Sequence, residues 1–398
     1  MKIVEIEDYF HPDAGYQINI ISKYFVKFGH QVTIITGEME KIPELITTFF
    51  GRDNISERDK EYTKKYGVKI VRVPLKAFIS GRAVFSNAIY GIIKNEKPDV
   101  VYVHGNDTLT GMRYLLKYKQ LGYPLIMDSH MLEIASRNKL RKLFRTIYRL
   151  FFTPIIVKNN IIVIRTQNEP YIIKRLGIPK RLTPWISVGS DTLLFHPDET
   201  MRQLFRKTHN IREDAFVIIY AGKLDEAKAG LLLAEGVQSK FKSKRDIVVL
   251  VVGKSTGEYG RKVEEKLKNS QNKVIRFPTQ KYEDLAEFYQ SADIAVFPRH
   301  CSLSFYDVQA CGLPVVFENN KINSDRASHN NALVFNEGSV QDFRDKIEHL
   351  ANMDKNDFDQ IRNNAISFVK QSYDYESISL DYLRMIEQTY TSCEKLFE

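Results

Sequence analysis

Long apolar runs and closely spaced cysteines are both missing from this chain of 398 residues. Its most apolar stretch, residues 150–157, lies between Arg149 and Lys158 and falls well short of the ~20 apolar residues that cross a bilayer. The three cysteines are Cys301, Cys311 and Cys393. Their spacing matches neither a metal site nor a paired disulfide framework, so we interpret them as reduced structural thiols.

Low-complexity segments are missing as well, and the chain reaches Asp8 without the apolar core and cleavage site of a secretory signal. We therefore expect a cytoplasmic protein. Apolar residues make up 43% and charged residues 27% of the chain, as in globular proteins. Because domains usually contain about 100–200 residues, this length favours two domains. The net charge of +9 favours an anionic partner, either nucleic acid, a phosphorylated substrate or an anionic membrane leaflet.

Short β-branched runs alternate with helical patterns along both halves of the chain. The runs predicted to be strands are 3–6, 32–35, 68–73, 100–103, 125–128, 161–164, 216–220, 247–252, 273–277, 294–297 and 315–317. Strand, helix and strand in succession form a βαβ unit with a parallel sheet and a right-handed crossover. The sequence therefore predicts two α/β domains with doubly wound parallel sheets, divided at residues 196/197. Ligands of such sheets bind beyond the carboxyl ends of the strands, so two facing sheets would hold a substrate between them.

A glycine-bearing loop with two lysines follows the first strand of the second domain. Gly222, Lys223 and Lys228 lie in this loop, which leads into a helical run at 231–237. Backbone N–H groups, the helix dipole and the ammonium groups all favour negative charge there. The loop is therefore a candidate phosphate site, with two solvated lysines beside an ordinary turn as the alternative.

A second loop between a strand and a helix precedes a carboxylate. The strand at 294–297 is followed by a polar loop and a short helix that contains Asp307. An acidic side chain in such a helix can accept hydrogen bonds from both hydroxyls of a ribose. A solvated helix position is the alternative, but the neighbouring residues are mostly apolar, and an unpaired buried carboxylate is costly. We therefore expect Asp307 to have a partner.

Taken in order, these motifs resemble family 4 glycosyltransferases. The matching segments are Gly222-Lys223 with Lys228, 282–285, 291–293 and 307–316 in the second domain, and 8–15, 29–33, 187–197 and 373–375 elsewhere. The resemblance spans nearly the whole chain and implies the GT-B fold, in which two Rossmann-like domains face a cleft. It assigns acceptor binding to residues 1–196, nucleotide-sugar binding to residues 197–375, and a helix that returns to the first domain to residues 376–398.

The resemblance implies catalytic roles for two lysines and a histidine. Lys223 stands where the family has an Arg and Lys228 where it has a Lys, and this pair neutralises the diphosphate of the donor. His130, after the strand at 125–128, matches a histidine near the transferred sugar. From the residues alone, a packed or capping histidine is the alternative for His130.

The resemblance also implies which residues contact the donor. Asp307 stands at the second Glu of the family's Glu-x7-Glu motif, which holds the ribose. The amides near Leu303 and Ser304 would contact the phosphate beside Gly222. Gly15 would allow the loop after the first strand to approach the donor.

Some positions depart from the family pattern. Arg299 stands where the family has the first Glu of the motif, which contacts the donor sugar. Asp307 shortens the reach of the second carboxylate, and Gly15-Tyr16 replaces a pair of glycines. These departures indicate a non-standard donor or a variant sugar pocket. Pairing of Arg299 with a negatively charged sugar or an extra phosphate is a further hypothesis.

The expected chemistry needs no metal and no cofactor. Negative charge builds on the departing diphosphate, and fixed cations such as Lys223 and Lys228 can stabilise it. The segment Asp357-Phe358-Asp359 precedes a helical run at 361–369, so we interpret it as helix capping and not as a metal site. The family retains the anomeric configuration. No carboxylate can be assigned as a nucleophile, so by analogy the leaving phosphate would steer the acceptor.

The segment 137–149 is basic and amphipathic, and no acidic residue occurs from 135 to 168. Its cations are Arg137, Lys139, Arg141, Lys142, Arg145 and Arg149. A helix of this kind can lie on an anionic membrane, where each basic group contributes about 1 kcal/mol. That position would suit a lipid-linked acceptor. A surface helix whose apolar stripe packs on its own sheet is the alternative, and both interpretations remain open.

The sequence thus predicts a glycosyltransferase that moves a sugar from a nucleotide-sugar to a lipid-linked or polysaccharide-precursor acceptor. Its expected location is the cytoplasm, with peripheral contact at the inner face of the membrane. A non-catalytic nucleotide-sugar-binding subunit and a sugar-nucleotide epimerase are the alternatives. Nucleic acid is not an expected partner, because no RNA-binding motif or zinc spacing accompanies the positive charge.

Overall fold

A computed structural model describes residues 1–47, 50–79, 81–131, 140–168, 170–299 and 303–397. The chain forms two compact units: Met1–Val188 together with Tyr375–Glu398, and Gly189–Asp374. The predicted division at 196/197 lies a short way past the start of the second unit. The predictions for Arg137, Lys139 and Cys301 lie outside the described residues.

A parallel sheet forms the centre of the first unit. The strands of this unit are β1 (Lys2–Glu7), β2 (Gln31–Gly37), β3 (Lys69–Val73), β4 (Leu75–Ile79), β5 (Arg82–Phe85), β6 (Val100–Val103), β7 (Leu125–Ser129) and β8 (Ile162–Arg165). Six of them pair in parallel in the order β3-β2-β1-β6-β7-β8, while β4 and β5 form an antiparallel hairpin. The strand order reverses between β1 and β6, which is where ligands of such sheets bind.

Helices cover the first sheet. They are α1 (Gln17–Lys27), α2 (Glu44–Thr47), α3 (Ile55–Tyr66), α4 (Ala88–Glu96), α5 (Leu109–Leu121), α6 (Arg141–Ile147), α7 (Thr153–Lys158) and α8 (Tyr171–Leu176). A π-helical turn, Tyr148–Phe152, joins α6 to α7, and single 3-10 turns occur at Met39–Lys41 and Lys180–Leu182. Thr108 caps α5 by accepting a hydrogen bond from the amide of Gly111 at 2.8 Å, and α5 ends at Gly122 with φ 69°.

The second unit repeats this arrangement. Its strands are β9 (Phe216–Ala221), β10 (Ile247–Val252), β11 (Lys273–Phe277), β12 (Ile294–Phe297), β13 (Val315–Glu318) and β14 (Ala332–Phe335). All pair in parallel, in the order β11-β10-β9-β12-β13-β14, so the order reverses between β9 and β12. Its helices are α9 (Glu199–Thr208), α10 (Gly230–Gly236), α11 (Gly257–Lys268), α12 (Leu285–Ser291), α13 (Ser304–Ala310), α14 (Lys321–Arg326), α15 (Val340–Asn352) and α16 (Lys355–Ser372). A 3-10 turn, Glu226–Lys228, precedes α10.

The central strands are buried on both faces, which explains why they are continuous apolar runs and do not alternate. Every residue of β10 is buried, and so is every residue of β6 and β12. Burying a Val, Leu or Ile side chain contributes about 1.5–3 kcal/mol, so each sheet is the main source of stability for its unit.

The last helix, α17 (Tyr375–Phe397), belongs to the first unit, as the resemblance implied. It packs on α1, β6 and β7. The side-chain amide of Gln17 donates to the hydroxyl of Tyr382 at 2.5 Å, and Lys27 pairs with Glu376 at 2.8 Å. The chain therefore returns to the first unit after completing the second.

The structure corrects some predicted elements. The hairpin of β4 and β5 and the strand β14 were not predicted from the sequence. The helix predicted at 361–369 is the longer α16, and its cap is Asp354, which accepts from the amide of Asp357 at 3.0 Å. Asp357 thus lies in the first turn and is not the capping residue. Among the described residues, no helix combines the length and the apolar character needed to cross a membrane.

Candidate active site

The loops after β9 and β10 are in direct contact at the carboxyl edge of the second sheet. The amide of Gly222 donates to the carbonyl of Val252 at 2.9 Å, and the amide of Leu224 donates to that of Lys254 at 3.1 Å. Gly253 has φ 135°, and a Cβ atom there would lie 1.9 Å from the carbonyl oxygen of Gly222. A side chain at this position would therefore separate the two loops.

Lys223 and Lys228 lie in the loop after β9, as predicted. The side chain of Asp225 accepts from the amide of Lys228 at 2.9 Å and so caps the 3-10 turn that carries this lysine. The hydroxyl of Tyr220 donates to the carbonyl of Lys223 at 2.5 Å. Lys223 is exposed and Lys228 is half-buried. The backbone thus fixes the base of both lysines at the point where the strand order reverses.

Asp307 lies in α13 and is buried, with 4% of its surface exposed. Its Oδ1 accepts from the hydroxyl of Ser190 at 2.7 Å and from that of Tyr282 at 3.2 Å. The ring of Tyr282 is held by an edge contact with Phe195, whose centroid is 5.0 Å away. The expected partner of Asp307 is therefore present, and it consists of two hydroxyl groups.

Arg299 follows β12 and extends between two neighbouring loops. Its Nη1 donates to the carbonyl of Glu226 at 3.2 Å, and its Nε lies 3.8 Å from Oε2 of the buried Glu318 at the end of β13. The guanidinium therefore has a carboxylate beside it within the second unit. Leu303 and Ser304, at the start of α13, are both half-buried.

In the first unit, His130 follows β7 directly and its side chain is 45% exposed. Its Nε2 lies 3.4 Å from Oδ2 of Asp128, and its Nδ1 lies 3.2 Å from the hydroxyl of Thr166. Gly15 is half-buried in the loop between β1 and α1, and the next residue, Tyr16, is exposed. Both predicted positions of the first unit thus lie in loops that follow central strands.

Two carboxyl groups lie at the end of β1, where Asp8 is buried and Glu7 is half-buried. Asp8 is 5% exposed, and its Oδ1 accepts from the hydroxyl of Thr110 at 3.0 Å. Burial raises the pKa of Asp8 to about 6. Burial also raises the pKa of Glu7 to about 7, although the positive charge of His104 opposes this change. These carboxyl groups are therefore only partly ionised near neutral pH.

His104, Asp128 and His130 offer nitrogen and oxygen atoms that lie within 4.8 Å of one another. A metal ligand must be a neutral imidazole with a free lone pair. However, Nδ1 of His104 lies 2.9 Å from Asp128 and its Nε2 lies 3.2 Å from Glu5, so both nitrogens face carboxylates. This set of side chains therefore fits a network of ion pairs better than a metal site.

Sequence reasoning did not identify Glu5, His104 and Asp128 as site residues. A signal was available, because each is a charged or titratable residue in or directly after a strand that is otherwise largely apolar. Burying an unpaired charge is costly, so such residues imply partners. Their partners come from different strands and cannot be read from local spacing.

The basic segment after residue 140 has two apolar faces. Tyr148 and Ile156 are buried, and Phe144 and Phe152 pack against the core of the first unit. A second row of side chains is 41–65% exposed and consists of Leu140, Leu143, Ile147, Leu150 and Phe151. The interpretation that the apolar stripe packs on its own sheet thus accounts for only one face.

The cations of this segment differ in their surroundings. Arg141, Lys142 and Arg149 are exposed. Arg145 is half-buried, with its guanidinium 5.2 Å from the ring centroid of Tyr171. Arg149 also donates to the carbonyl of Lys174 at 3.0 Å. Arg145 is therefore directed toward the protein and is less available to a membrane than Arg141 and Lys142.

Each unit has six parallel strands in the same order, and candidate ligand-binding loops lie where that order reverses. This arrangement defines the GT-B class of glycosyltransferases. Family models match both halves of the chain: "Glycosyltransferase Family 4" at residues 15–222 and "Glycosyl transferases group 1" at residues 201–368. The chain belongs to glycosyltransferase family 4 and is a glycosyltransferase.

Similar proteins act on different acceptors, as their names state. A probable sucrose-phosphate synthase of Thermosipho melanesiensis is 23% identical over 98% of this chain and 94% of that protein. A D-inositol 3-phosphate glycosyltransferase of Geodermatophilus obscurus is 29% identical over 54% of this chain and 51% of its own length. An Escherichia coli galactosyltransferase that acts on a GlcNAc-diphosphoundecaprenol is 24% identical over 63% of each chain.

Solved structures share the fold over nearly the whole chain. A glycosyltransferase from Rickettsia africae has a TM-score of 0.72 at 16% identity and covers 98% of both chains. An Anabaena protein in complex with UDP and glucose has a TM-score of 0.71 at 14% identity, and covers 98% of this chain and 100% of that one. At these identities the likeness concerns the fold.

Proposed function

We propose that the enzyme transfers a sugar from a nucleotide-sugar to a lipid-linked or polysaccharide-precursor acceptor, with retention of the anomeric configuration. The observation that carries the donor half is the buried Asp307, in the same unit as the lysine-bearing loop after β9. A carboxylate that holds two hydroxyl groups from the protein is chemically suited to a ribose diol. UDP and glucose bound to the Anabaena protein support the same class of donor.

Lys223 and Lys228 have the charge that departure of a diphosphate requires. As the anomeric bond breaks, negative charge builds on the leaving group, and preorganised cations lower the barrier without reorganising during the reaction. Gly253 lets the loops after β9 and β10 lie close together at Gly222, and the amides near Leu303 and Ser304 would add donors to the phosphate. We propose that this charge makes a divalent metal unnecessary.

Gly15 and His130 complete the proposed donor and acceptor contacts on the first unit. Gly15 lies in the loop after β1, and His130 presents a half-exposed ring after β7. His130 would bind an oxygen of the donor near the transferred sugar. Because the assignable carboxylates near it are held by protein groups, the leaving phosphate would steer the acceptor hydroxyl onto the same face of the sugar.

The proposed acceptor is lipid-linked because the first unit carries an apolar and basic surface. We define the exposed ridge as Leu140, Leu143, Ile147, Leu150 and Phe151, together with the exposed cations beside it. A patch of large apolar side chains flanked by positive charge is complementary to an anionic membrane. The name of the Escherichia coli relative, which acts on a diphosphoundecaprenol acceptor, supports an acceptor of this kind.

The donor half is tested by incubating the purified enzyme with a panel of nucleotide-sugars and a membrane lipid extract in EDTA and following release of nucleoside diphosphate. Lys228→Ala should reduce kcat about 100-fold or more, since removal of one preorganised group costs this much in comparable sites. Lys262→Ala is the matched control, because Lys262 is 61% exposed in α11 and pairs with Glu258 at the surface. Equal rates for both variants would contradict the proposed role of the loop.

A non-catalytic nucleotide-sugar binder is the second candidate. Arg299 favours it, because the position that contacts the donor sugar in the family is occupied here by a cation beside Glu318. This candidate predicts saturable donor binding without release of nucleotide from any donor of the panel. An epimerase would release nucleotide and an altered sugar with no acceptor present. Turnover that depends on an acceptor would exclude both.

A further inference from the structure

A buried chain of charged side chains connects the inside of the first unit to His130. Glu5 in β1 lies 3.2 Å from Nε2 of His104, and Nδ1 of His104 lies 2.9 Å from Oδ2 of Asp128. The same oxygen of Asp128 lies 3.4 Å from Nε2 of His130. The side chains of Glu5 and Asp128 are fully buried, and that of His104 is 2% exposed. Only the last member of this chain reaches the surface.

His104 is an imidazolium because of its two neighbours. An ionised carboxylate only accepts hydrogen bonds, so each ring nitrogen that faces one must carry a hydrogen. Burial lowers the pKa of this ring, but Asp128 and Glu5 outweigh it and raise the pKa of His104 to about 10. The hydroxyl of Ser22, which also lies 2.5 Å from the carbonyl of Ile18, contacts the other oxygen of Glu5 and helps to keep that carboxylate in place.

Asp128 is fixed as a carboxylate. Its Oδ2 also accepts from the hydroxyl of Tyr102 at 2.7 Å, and its Oδ1 accepts from the amide of Gly105 at 2.7 Å. Burial opposes ionisation, but His130 and His104 outweigh it and hold the pKa of Asp128 well below its usual range. Asp128 is therefore suited to hold a positive charge beside it and not to accept a proton.

The charges of the chain balance only when His130 is positive. The positive charge of His104 offsets the negative charge of Glu5. The negative charge of Asp128 is then offset by protonated His130. On the other side of the His130 ring, the hydroxyl of Thr166 donates to the carbonyl of Ser129 at 3.1 Å. Because its one hydrogen is used there, this hydroxyl accepts from Nδ1 of His130. Both ring nitrogens of His130 are then donors.

We propose that Glu5, His104 and Asp128 are positioning residues that hold His130 as a protonated hydrogen-bond donor for the transfer reaction. The contact from His130 to Asp128, at 3.4 Å, is the longest in the chain, and the His130 ring is 45% exposed. It is therefore the contact that an oxygen of the bound donor can replace, with Asp128 still close enough to keep the proton on the ring. This inference rests on the proposed glycosyl transfer.

Other titratable groups surround this chain and belong to the same pH response. They are Glu7 and Asp8 at the end of β1, Arg82 in β5, Asp107 after β6, Tyr102 in β6 and Tyr382 in α17. Glu7 ionises at higher pH than a free carboxyl group, so its charge adds to the stabilisation of protonated His130 as pH rises.

The test compares wild type with Asp128→Asn in the pH dependence of kcat/KM. Protonated His130 is the active form, so activity falls as pH rises through the His130 pKa. Asn removes the charge, so the alkaline limb should move down by about 1–3 pH units. At neutral pH the rate should fall about 10- to 100-fold, as it does when the partner of a site residue is removed. Asp99→Asn is the control, because Asp99 is a carboxylate that accepts from the amide of Lys2 at 2.7 Å. This variant should change neither the alkaline limb nor the rate at neutral pH.

A second measurement needs no substrate and therefore separates this inference from the proposed function. In protein labelled with 15N-histidine, assigned with His104→Gln and His130→Gln, the His104 ring should remain doubly protonated between about pH 6 and about pH 9. The His130 ring should titrate well above its ordinary value of about 6.5. If wild-type His130 titrates near that ordinary value, or if Asp128→Asn lowers the rate equally at every pH, the positioning role is wrong. The wild-type titration decides the point even if the variant fails to fold.

Discussion

Glu7 holds its proton more tightly in the folded protein than a free glutamate does. Its pKa in the folded protein is about 7, compared with an ordinary value of 4.5. Folding therefore favours protonated Glu7, which contributes to the free energy of unfolding. This stabilising contribution is fully present below the ordinary pKa of glutamate and is lost as pH rises through about 7. At alkaline pH the buried carboxylate lowers the free energy of unfolding.

Glu7→Gln should consequently stabilise the protein at about pH 8 and change little at about pH 5, where wild-type Glu7 is already neutral. The amide keeps an acceptor for the Asp8 amide, which Glu7 Oε1 binds at 2.8 Å. We expect a gain of about 1–3 kcal/mol at the higher pH. Thermal unfolding at both pH values measures it. Glu40→Gln, at an exposed position, should show no such difference between the two pH values. If Glu7→Gln and Glu40→Gln have equal effects on thermal unfolding, burial does not destabilise the ionised form of Glu7.

The candidate site residues that the sequence could propose are those in short motifs. Lys223, Lys228 and Asp307 follow strands at fixed distances, and the need of Asp307 for a partner followed from its apolar neighbours. The identity of its partners did not follow, because Ser190 and Tyr282 are far from it in the chain. The chain of charges behind His130 was missed for the same reason, since each member comes from a different strand or the loop after it.

Helix α9 is joined to the second sheet by buried ion pairs. Asp293, directly before β12, binds Arg202 at 2.7 Å and Arg206 at 2.9 Å, and it accepts from the amide of Val217 at 2.7 Å. The side chain of Arg206 is 1% exposed. Removing one member of a buried pair leaves an uncompensated charge.

Asp293→Asn should therefore destabilise the second unit by about 3–5 kcal/mol. Circular dichroism in urea measures the loss as a lower midpoint. Asp214→Asn removes a partner from an ion pair at the surface, since Asp214 is 66% exposed, and should leave the urea midpoint nearly unchanged. If both variants unfold at the same urea concentration, the buried pair does not hold α9 in place.

The exposed ridge of the first unit makes a separate prediction about the segment from α6 to α7. Replacing Leu150 and Phe151 together by serine should weaken binding to vesicles of phosphatidylglycerol and phosphatidylcholine at least about tenfold, because each apolar side chain that enters the membrane contributes about 1.5–3 kcal/mol. Sedimentation with vesicles measures the bound fraction. Binding should also fall at high salt and without phosphatidylglycerol.

Leu204→Ser is the control for this surface, because Leu204 is 55% exposed in α9 of the second unit and is not part of the exposed ridge. It should bind vesicles like wild type. Retention of full binding by the double serine variant would remove the membrane from the proposed function. The glycosyl transfer itself would be unaffected by that result.

The strands were the elements that sequence predicted best, and their central position explains why. A strand buried on both faces is a continuous apolar run, as β10 and β12 are. The hairpin of β4 and β5 was missed because its strands are only partly buried, and β14 because its middle residues are half-buried at the edge of the sheet. The basic segment was predicted as one stripe, and only its three-dimensional packing distinguishes the buried face from the exposed one.

The two units of the molecule have the same strand order but different charges at their ligand-binding edges. The loop after β9 carries Lys223 and Lys228, whereas the end of β1 carries Glu7 and Asp8. A diphosphate is suited to the first of these edges, and a group rich in hydroxyls to the second. The proposed assignment of the donor diphosphate to the second unit rests on this difference in charge, which the strand order alone does not reveal.

The most direct test of the proposed function follows a radiolabelled sugar from its nucleotide into acceptor. Purified enzyme is incubated in EDTA with each nucleotide-sugar of the panel, with and without a membrane lipid extract, beside Lys228→Ala and Lys262→Ala. We predict that label enters the lipid fraction without a metal and that release of nucleoside diphosphate requires the extract. Of the two variants, only Lys228→Ala should abolish both the transfer and the release. Saturable binding of a donor with no transfer in any combination would contradict the assignment of this chain as a lipid-directed sugar transferase.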